Sequence, residues 1–138
     1  MKSTGDLIDV LKSKDSYAEA RDLMPEFLDL TLAEHLVQII AAKQLKKSEI
    51  IDKSGLERTY AYQIMNGTKV PSRDKLLALM FGMQLSFEEA QTLLKVTGYA
   101  QLYAKNKRDN VIIFSLNKHH SIFDVNANLF SMNEAIIE

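Results

Sequence analysis

The sequence of 138 residues contains no cysteine and no tryptophan. Without cysteine, the chain cannot form disulfide bonds or use a thiolate as a nucleophile or a metal ligand. Its three histidines do not form a metal-binding pattern, because His119 and His120 are adjacent and His35 lies far away in the sequence. We therefore expect no bound metal and no cofactor.

The sequence also lacks long apolar runs. No stretch approaches the roughly 18 apolar residues of a membrane-spanning helix, and no secretory or transit pattern stands at the start. We therefore expect a cytoplasmic protein that does not associate with membranes. A chain of 138 residues, of which 46% are apolar, is sufficient for one hydrophobic core and too short for two independent cores.

Glycine and proline, which interrupt helices, are scarce, with five and two copies. Apolar residues recur at steps of three and four, and we find no internal repeat of useful length. At four places a short oxygen-bearing side chain precedes an acid by three residues, as at a helix N-terminus: Thr31 with Glu34, Ser86 with Glu89, Asn106 with Asp109, and Ser121 with Asp124. We predict an all-α chain with helices over residues 3–13, 16–23, 32–43, 47–54, 58–66, 72–83, 86–97, 106–118 and 121–130.

Charge is unevenly distributed, although the net charge is only −1. Residues 1–31 carry four basic and seven acidic side chains, residues 32–85 carry eight and five, and residues 86–138 carry five and six. The middle segment is therefore locally basic, as expected of a binding face on an otherwise acidic protein. We predict an acidic helical N-terminal extension (1–31), a central binding domain (32–85) and a C-terminal helical extension packed on it (86–138).

The central domain contains two short amphipathic segments within residues 46–72, KKSEIIDKSGLERTYAYQIMNGTKVPS. The first segment is too short to be stable alone, so Ile50 and Ile51 must hold it by packing onto neighbours. We predict that Gly55 takes a left-handed conformation just past its end and that Leu56 enters the core.

The second segment begins at Arg58 and is predicted to end at Asn66-Gly67. Ala61, Ile64 and Met65 form an apolar stripe, and the opposite side carries the polar residues Arg58, Thr59, Tyr62, Gln63 and Asn66. Together the two segments form a helix-turn-helix arrangement whose second helix exposes hydrogen-bond donors.

Residues 32–85 resemble the Xre family of bacterial and phage regulators, which have the fold of lambda repressor and Cro. The resemblance rests on the order of a first helix, Leu45 in a linker, the helix pair, the segment NGTKVPS and a further helix before QLSFEEA. It implies a lambda-repressor-like helix bundle in which the second helix of the pair, about 58–66, enters the major groove of double-stranded DNA. The function it implies is sequence-specific operator binding by a transcriptional regulator.

By position, the resemblance implies DNA contacts from Lys47, Arg58, Thr59, Tyr62, Gln63, Asn66 and Lys69. Arg73 is a further candidate for a phosphate contact. Each residue also has a local alternative, since Arg58 can pair with Glu57 or Asp52, Tyr62 can pack on Tyr60, Gln63 is simply a good helix former, and the lysines can be solvated.

Three positions depart from the family pattern. Ile51 stands where the family favours a small alanine, and Lys46 and Glu57 occupy the cap positions of the two helices. Glu57 favours the helix dipole, but its charge would repel a nearby phosphate. These features and the near-neutral charge support an alternative function, namely a protein-interaction adaptor that keeps the helix-turn-helix fold without DNA affinity.

Enzymatic activity is not expected. The sequence has no glycine-rich phosphate loop and no nucleophile in a recognisable setting, and Glu88-Glu89 fits the first turn of a helix.

The C-terminal extension contains an apolar run formed by Val111, Ile112, Ile113, Phe114 and Leu116. The run is apolar on more than one face, so we expect it to be buried in the core or in the interface of a homodimer. Earlier in the extension, Tyr99, Leu102 and Tyr103 are expected to pack onto the helix that follows Ser86.

Overall fold

The structure, a computed structural model, describes residues 30–138 together with the single position Lys12. Over residues 30–138 it is all-helical, which confirms the predicted all-α class for this part of the chain. The seven helices there are α1 (Leu32–Lys43), α2 (Lys47–Ser54), α3 (Arg58–Met65), α4 (Arg73–Gly82), α5 (Phe87–Val96), α6 (Lys107–Asn117) and α7 (Ile122–Ser131).

The helices predicted over residues 3–13 and 16–23 lie outside the described residues, apart from Lys12, and so does nearly all of the predicted acidic extension. Among the described helices, none is both long and apolar enough to cross a lipid bilayer.

Helix limits agree with the predicted ones to within one residue at each end. Ser86 and Ser121 each accept a hydrogen bond from the backbone N–H three residues on, and the carboxylates of Glu89 and Asp124 accept one from the serine N–H. These reciprocal pairs satisfy amide groups that the helices leave unpaired. The start signals read from the sequence therefore operate as predicted at α5 and α7.

Helix α4 is the centre of the fold, and its seven consecutive residues from Leu76 to Gly82 are all buried. A helix that is apolar on every side requires neighbours all around it. α2 makes extensive contacts with α4, and α7 also packs on it. α2 and α4 cross closely at Gly82, where a Cβ atom would lie only 2.4 Å from the carbonyl oxygen of Ile50 in α2. The small residue that permits this crossing is therefore Gly82, and Ile51 is buried in the core.

The structure reveals an internal repeat that the sequence analysis missed. Side-chain hydrogen bonds of Arg73, Ser86 and Gln91 recur 35 positions later at Arg108, Ser121 and Asn126. The side chain of Gln91 binds both the N–H and the carbonyl of Leu102, and Asn126 binds Ile137 in the same way. Left-handed residues also recur at this offset, with Gln84 and Gly98 matched by His119 and Asn133. α4–α5 and α6–α7 are thus two copies of one helix pair.

The two copies are joined by reciprocal ion pairs between Arg-Asp dipeptides, which we call the Arg-Asp clamp (Arg73, Asp74, Arg108 and Asp109). Arg73 donates two hydrogen bonds to the Asp109 carboxylate, at 3.1 and 3.0 Å. Arg108 donates two to Asp74, at 2.9 and 2.8 Å, and this contact raises the pKa of the guanidinium. Such bidentate pairs have strict geometry and are stronger than neutral hydrogen bonds. The clamp therefore fixes the start of α4 against the start of α6.

The apolar run of α6 is largely part of the core. Ile112 and Leu116 are buried, and Val111 and Ile113 are half-buried. Phe114 is the exception, because 51% of it is exposed and its ring makes an edge contact with His120, with centroids 5.8 Å apart.

The expected packing of the segment after α5 is only partly correct. Leu102 is buried, and the Tyr99 hydroxyl donates a hydrogen bond to the carbonyl of Pro71 at 2.6 Å. The prediction for Tyr103 is wrong, because its side chain is exposed while its backbone N–H donates to Asp109.

Candidate nucleic-acid interface

The turn between α2 and α3 is built around Gly55, whose φ of 73° confirms the predicted left-handed conformation. Ser54 completes the turn in a way that the sequence analysis did not foresee. Its buried hydroxyl donates to the carbonyl of Ile51 at 2.7 Å and accepts from the N–H of Leu56 at 3.1 Å. These bonds fix the direction in which the chain leaves α2 and enters α3.

Helix α3 begins with Glu57 as its cap. The Glu57 carboxylate accepts hydrogen bonds from the backbone N–H groups of Tyr60, at 2.7 Å, and Thr59, at 3.0 Å. These bonds favour the ionised form and lower the pKa of the carboxyl group. The negative charge of Glu57 therefore lies at the positive end of the α3 dipole and stabilises it.

The buried stripe of α3 is confirmed, since Ala61, Ile64 and Met65 all lie in the core. On the opposite side Arg58, Thr59 and Asn66 are exposed. Tyr62 and Gln63 are half-buried, so the prediction that Tyr62 is exposed is only partly correct. Part of its ring packs against the core at the edge of the stripe.

Arg58 lies over the Tyr62 ring, with its guanidinium carbon 5.7 Å from the ring centroid. The two residues are four apart on α3 and therefore neighbours on the helix surface. A guanidinium over an aromatic face is attracted by the ring quadrupole and keeps its N–H groups free for other partners. No ion pair between Arg58 and Glu57 or Asp52 occurs among the residues that the structure describes. Arg58 is thus held in place without losing its donors.

Tyr60 of α3 makes a second cation–π contact, with a lysine of the central helix. The ammonium group of Lys75 in α4 lies 5.7 Å from the centroid of its ring. This second cation–π contact connects α3 to the central helix, so the orientation of α3 depends on α4 as well as on the turn.

The loop after α3 has a defined shape. Asn66 accepts a hydrogen bond from the N–H of Thr68 through its side-chain oxygen at 2.9 Å, and Gly67 is left-handed with φ of 85°. The N–H of Lys69 donates to the carbonyl of Gln63 at 3.1 Å. The side chain of Lys69 remains exposed, and so does that of Lys47 at the start of α2. Neither ammonium group takes part in an ion pair within the described part of the chain.

Arg73, in contrast, is not available for a phosphate. Its guanidinium makes four hydrogen bonds within the protein, because besides the two to Asp109 it donates to the carbonyls of Ala100, at 2.9 Å, and Gln101, at 3.1 Å. The structure does not support the predicted phosphate contact of Arg73. The position of Arg73 just after the loop suggested a contact with a DNA phosphate. Its ion-pair partner is instead Asp109, which lies 36 residues away in the sequence.

The candidate interface therefore consists of the exposed side of α3 and the two lysines, Lys47 and Lys69, in the elements on either side of it. No metal-binding group of side chains occurs among residues 30–138. Comparison of the chain with protein-family models, with curated proteins and with solved structures finds no significant match.

Proposed function

We propose that this protein is a sequence-specific double-stranded DNA-binding regulator with a lambda-repressor-like helix-turn-helix domain, in which α3 enters the major groove. The observation that carries the proposal is the Arg58 side chain, which is exposed, stacked on Tyr62 and unpaired with either neighbouring acid. A short helix held by a left-handed turn, an N-terminal cap and a buried stripe presents this donor group on a rigid base.

The roles of the interface residues follow from their donor groups. Arg58 can donate two hydrogen bonds to the O6 and N7 atoms of a guanine, and Gln63 can bind an adenine edge in a similar way. Thr59 and Asn66 lie on the same side of α3 and add shorter polar contacts, while Tyr62 supports Arg58.

Lys47 and Lys69 serve a different purpose. Their ammonium groups carry no base-specific hydrogen-bond pattern, so they bind phosphates and position the helix on the duplex. Glu57, the N-terminal cap of α3, is compatible with phosphate contacts from these lysines, because its carboxylate already accepts hydrogen bonds from backbone amides of α3.

A second candidate function is a protein-interaction adaptor with the same fold. The net charge of −1 and the acid at the start of α3 favour it, because both weaken attraction to a polyanion. The two functions predict opposite outcomes for binding to mixed-sequence duplex DNA at low salt. A regulator binds it with an affinity that falls steeply with salt, and an adaptor does not bind it.

Two substitutions distinguish base reading from backbone attraction. The preferred DNA site is first found by selection from a random DNA pool. Arg58→Ala is expected to weaken binding to this site by about 1–3 kcal/mol and to relax the preference at one base pair. Lys69→Ala is expected to weaken binding to all DNA sequences equally and to reduce the slope of log affinity against log salt concentration by about one unit.

Lys105→Ala is the matched control, because Lys105 is an exposed lysine in the loop before α6. It should leave both affinity and salt slope unchanged. Equal and nonspecific losses in the Arg58 and Lys69 variants would remove Arg58 as a base reader, and undetectable binding by the unaltered protein would favour the adaptor.

A further inference from the structure

Helix α7 has a second apolar face that residues 30–138 do not cover. Its inner face, Ile122, Val125 and Leu129, is buried. On the outer side Phe123 is 76% exposed and Phe130 is 78% exposed, with exposed Ala127 between them. Residues spaced by four and three positions lie on one line along a helix, so these three form a continuous stripe, the α7 stripe.

The internal repeat provides a direct comparison for this surface. The positions equivalent to the α7 stripe in α5 are 35 residues earlier, and they are Glu88, Thr92 and Lys95, which are also exposed. The same place in the same helix pair thus carries a polar, charged surface in one copy and an apolar surface in the other. Because α5 shows that the fold accepts polar residues there, the apolar residues of α7 are not required by the fold.

The α7 stripe carries no charge, and the whole of α7 contains only one ionisable side chain, Asp124. Two copies of such a stripe can meet about a two-fold axis without placing like charges against each other. A stripe that recognised a charged partner would need complementary charges of its own, as the equivalent surface of α5 has.

The exposed area is sufficient for a weak dimer. A phenylalanine side chain has about 150–250 Å² of surface, so two that are three-quarters exposed present about 300 Å². With Ala127 and the partly exposed Ile136, the patch reaches roughly 400 Å². Two copies bury roughly 800 Å² before a polar rim is counted, which is below the roughly 1,200 Å² of stable specific interfaces and fits a weak, concentration-dependent dimer. Ile136 extends the patch because it lines, together with Phe123, a cavity of about 260 Å³ beside Gly55.

From these observations we infer that the α7 stripe is the self-association surface of this protein, at which α7 of one copy packs against α7 of a second copy. This inference does not depend on DNA binding. It places the interface on α7, whereas the apolar run of α6 that suggested a dimer surface in the sequence is largely buried within the chain.

The first test measures the mass of the full chain by sedimentation over a wide concentration series. The unaltered protein should pass from monomer to dimer as concentration rises. The triple variant Phe123→Glu, Ala127→Thr, Phe130→Lys gives α7 the residues of the equivalent α5 positions, so it should fold and remain monomeric. Phe114→Asp, at an exposed apolar residue of α6, should dimerise as the unaltered protein does.

The absence of cysteine permits a second test that does not depend on removing the stripe. Ala127→Cys introduces a single thiol at the centre of the stripe, and under mild oxidation it should form a disulfide-linked dimer. Thr92→Cys is the matched control, because it is the equivalent exposed position in α5 and should cross-link far more slowly.

A monomer at all concentrations would overturn the inference, as would a dimer that persists in the triple variant or equal cross-linking at positions 92 and 127. Binding to mixed-sequence duplex at low salt is measured on the same samples. Loss of DNA binding in a protein that dimerises as expected would contradict only the proposed function.

Discussion

Gly82→Ala offers a demanding test of the helix packing, because general helix propensity and the structure predict opposite signs. In an exposed helix interior, alanine is more favourable than glycine by about 1 kcal/mol. Here the new Cβ atom would lie 2.4 Å from the carbonyl oxygen of Ile50, and 3.1 Å from the Cβ of Ser54. We therefore expect this substitution to destabilise the protein.

The magnitude follows from the geometry at this crossing. Moving the Cβ atom to an ordinary contact of 3.4 Å from the Ile50 oxygen requires a separation larger by about 1 Å. The obstacle is a backbone atom of α2, which cannot rotate away as a side chain would. Overpacking of this kind costs about 1–3 kcal/mol, and we expect the upper part of this range because the obstacle is backbone. Subtracting the gain in helix propensity of about 1 kcal/mol leaves a net loss of stability of about 2 kcal/mol.

Thermal and urea unfolding followed by circular dichroism would measure this loss of stability. For a domain of this size we expect Tm to decrease by roughly 8 °C. Asn117→Ala is the control, since Asn117 is the exposed equivalent of Gly82 in the second repeat and should change stability by less than about 0.5 kcal/mol. A Gly82→Ala protein as stable as the unaltered one, or more stable, would refute the close crossing of α2 and α4.

Two further predictions concern charged groups. In the Arg-Asp clamp, double-mutant cycles should give coupling free energies of about 1–3 kcal/mol. The coupling should be larger for Arg73–Asp109 than for the other pair. The reason is that the Asp109 side chain is 10% exposed, whereas that of Asp74 is 31% exposed. Additive losses in both cycles would show that the clamp does not couple the repeats. For Glu57, the folded state lowers the pKa below the ordinary 4.5, so its contribution to stability is complete above that pH and is lost as pH falls through the folded-state pKa. The unfolding free energy of Glu57→Gln should therefore depend less on pH in this range, and parallel pH profiles would contradict the cap.

Local features of this fold could be predicted from the sequence, and features that depend on distant residues could not. The serine caps of α5 and α7 involve residues three positions apart, so their pattern is visible in a short window. The left-handed turn at Gly55 is equally local. Glu57 was recognised as occupying the cap position, but not as bonding two backbone amides in place of a serine.

The errors came from partners far apart in the chain. Arg73 looked like a phosphate ligand because Asp109 is 36 residues away, and nothing near Arg73 in sequence indicates that partner. The internal repeat was missed for a related reason. Only five of the 31 aligned positions of residues 73–103 and 108–138 are identical, and these include the clamp dipeptides themselves. What the two copies share is a set of hydrogen bonds, which different residues such as Gln91 and Asn126 can make.

The Arg-Asp clamp has a consequence for the segments of the chain that have no regular secondary structure. Irregular surface segments are ordinarily the first sites of proteolytic cleavage. Here Arg73 holds the carbonyls of Ala100 and Gln101, and Arg108 holds those of Ala135 and Ile136 at 2.8 and 3.2 Å. A protease must pull several residues of backbone out into its active site, which would require breaking these bonds. Residues 100–102 and 135–137 should therefore resist digestion, and the exposed loop from Gly67 to Val70, which no arginine holds, should be cut before them.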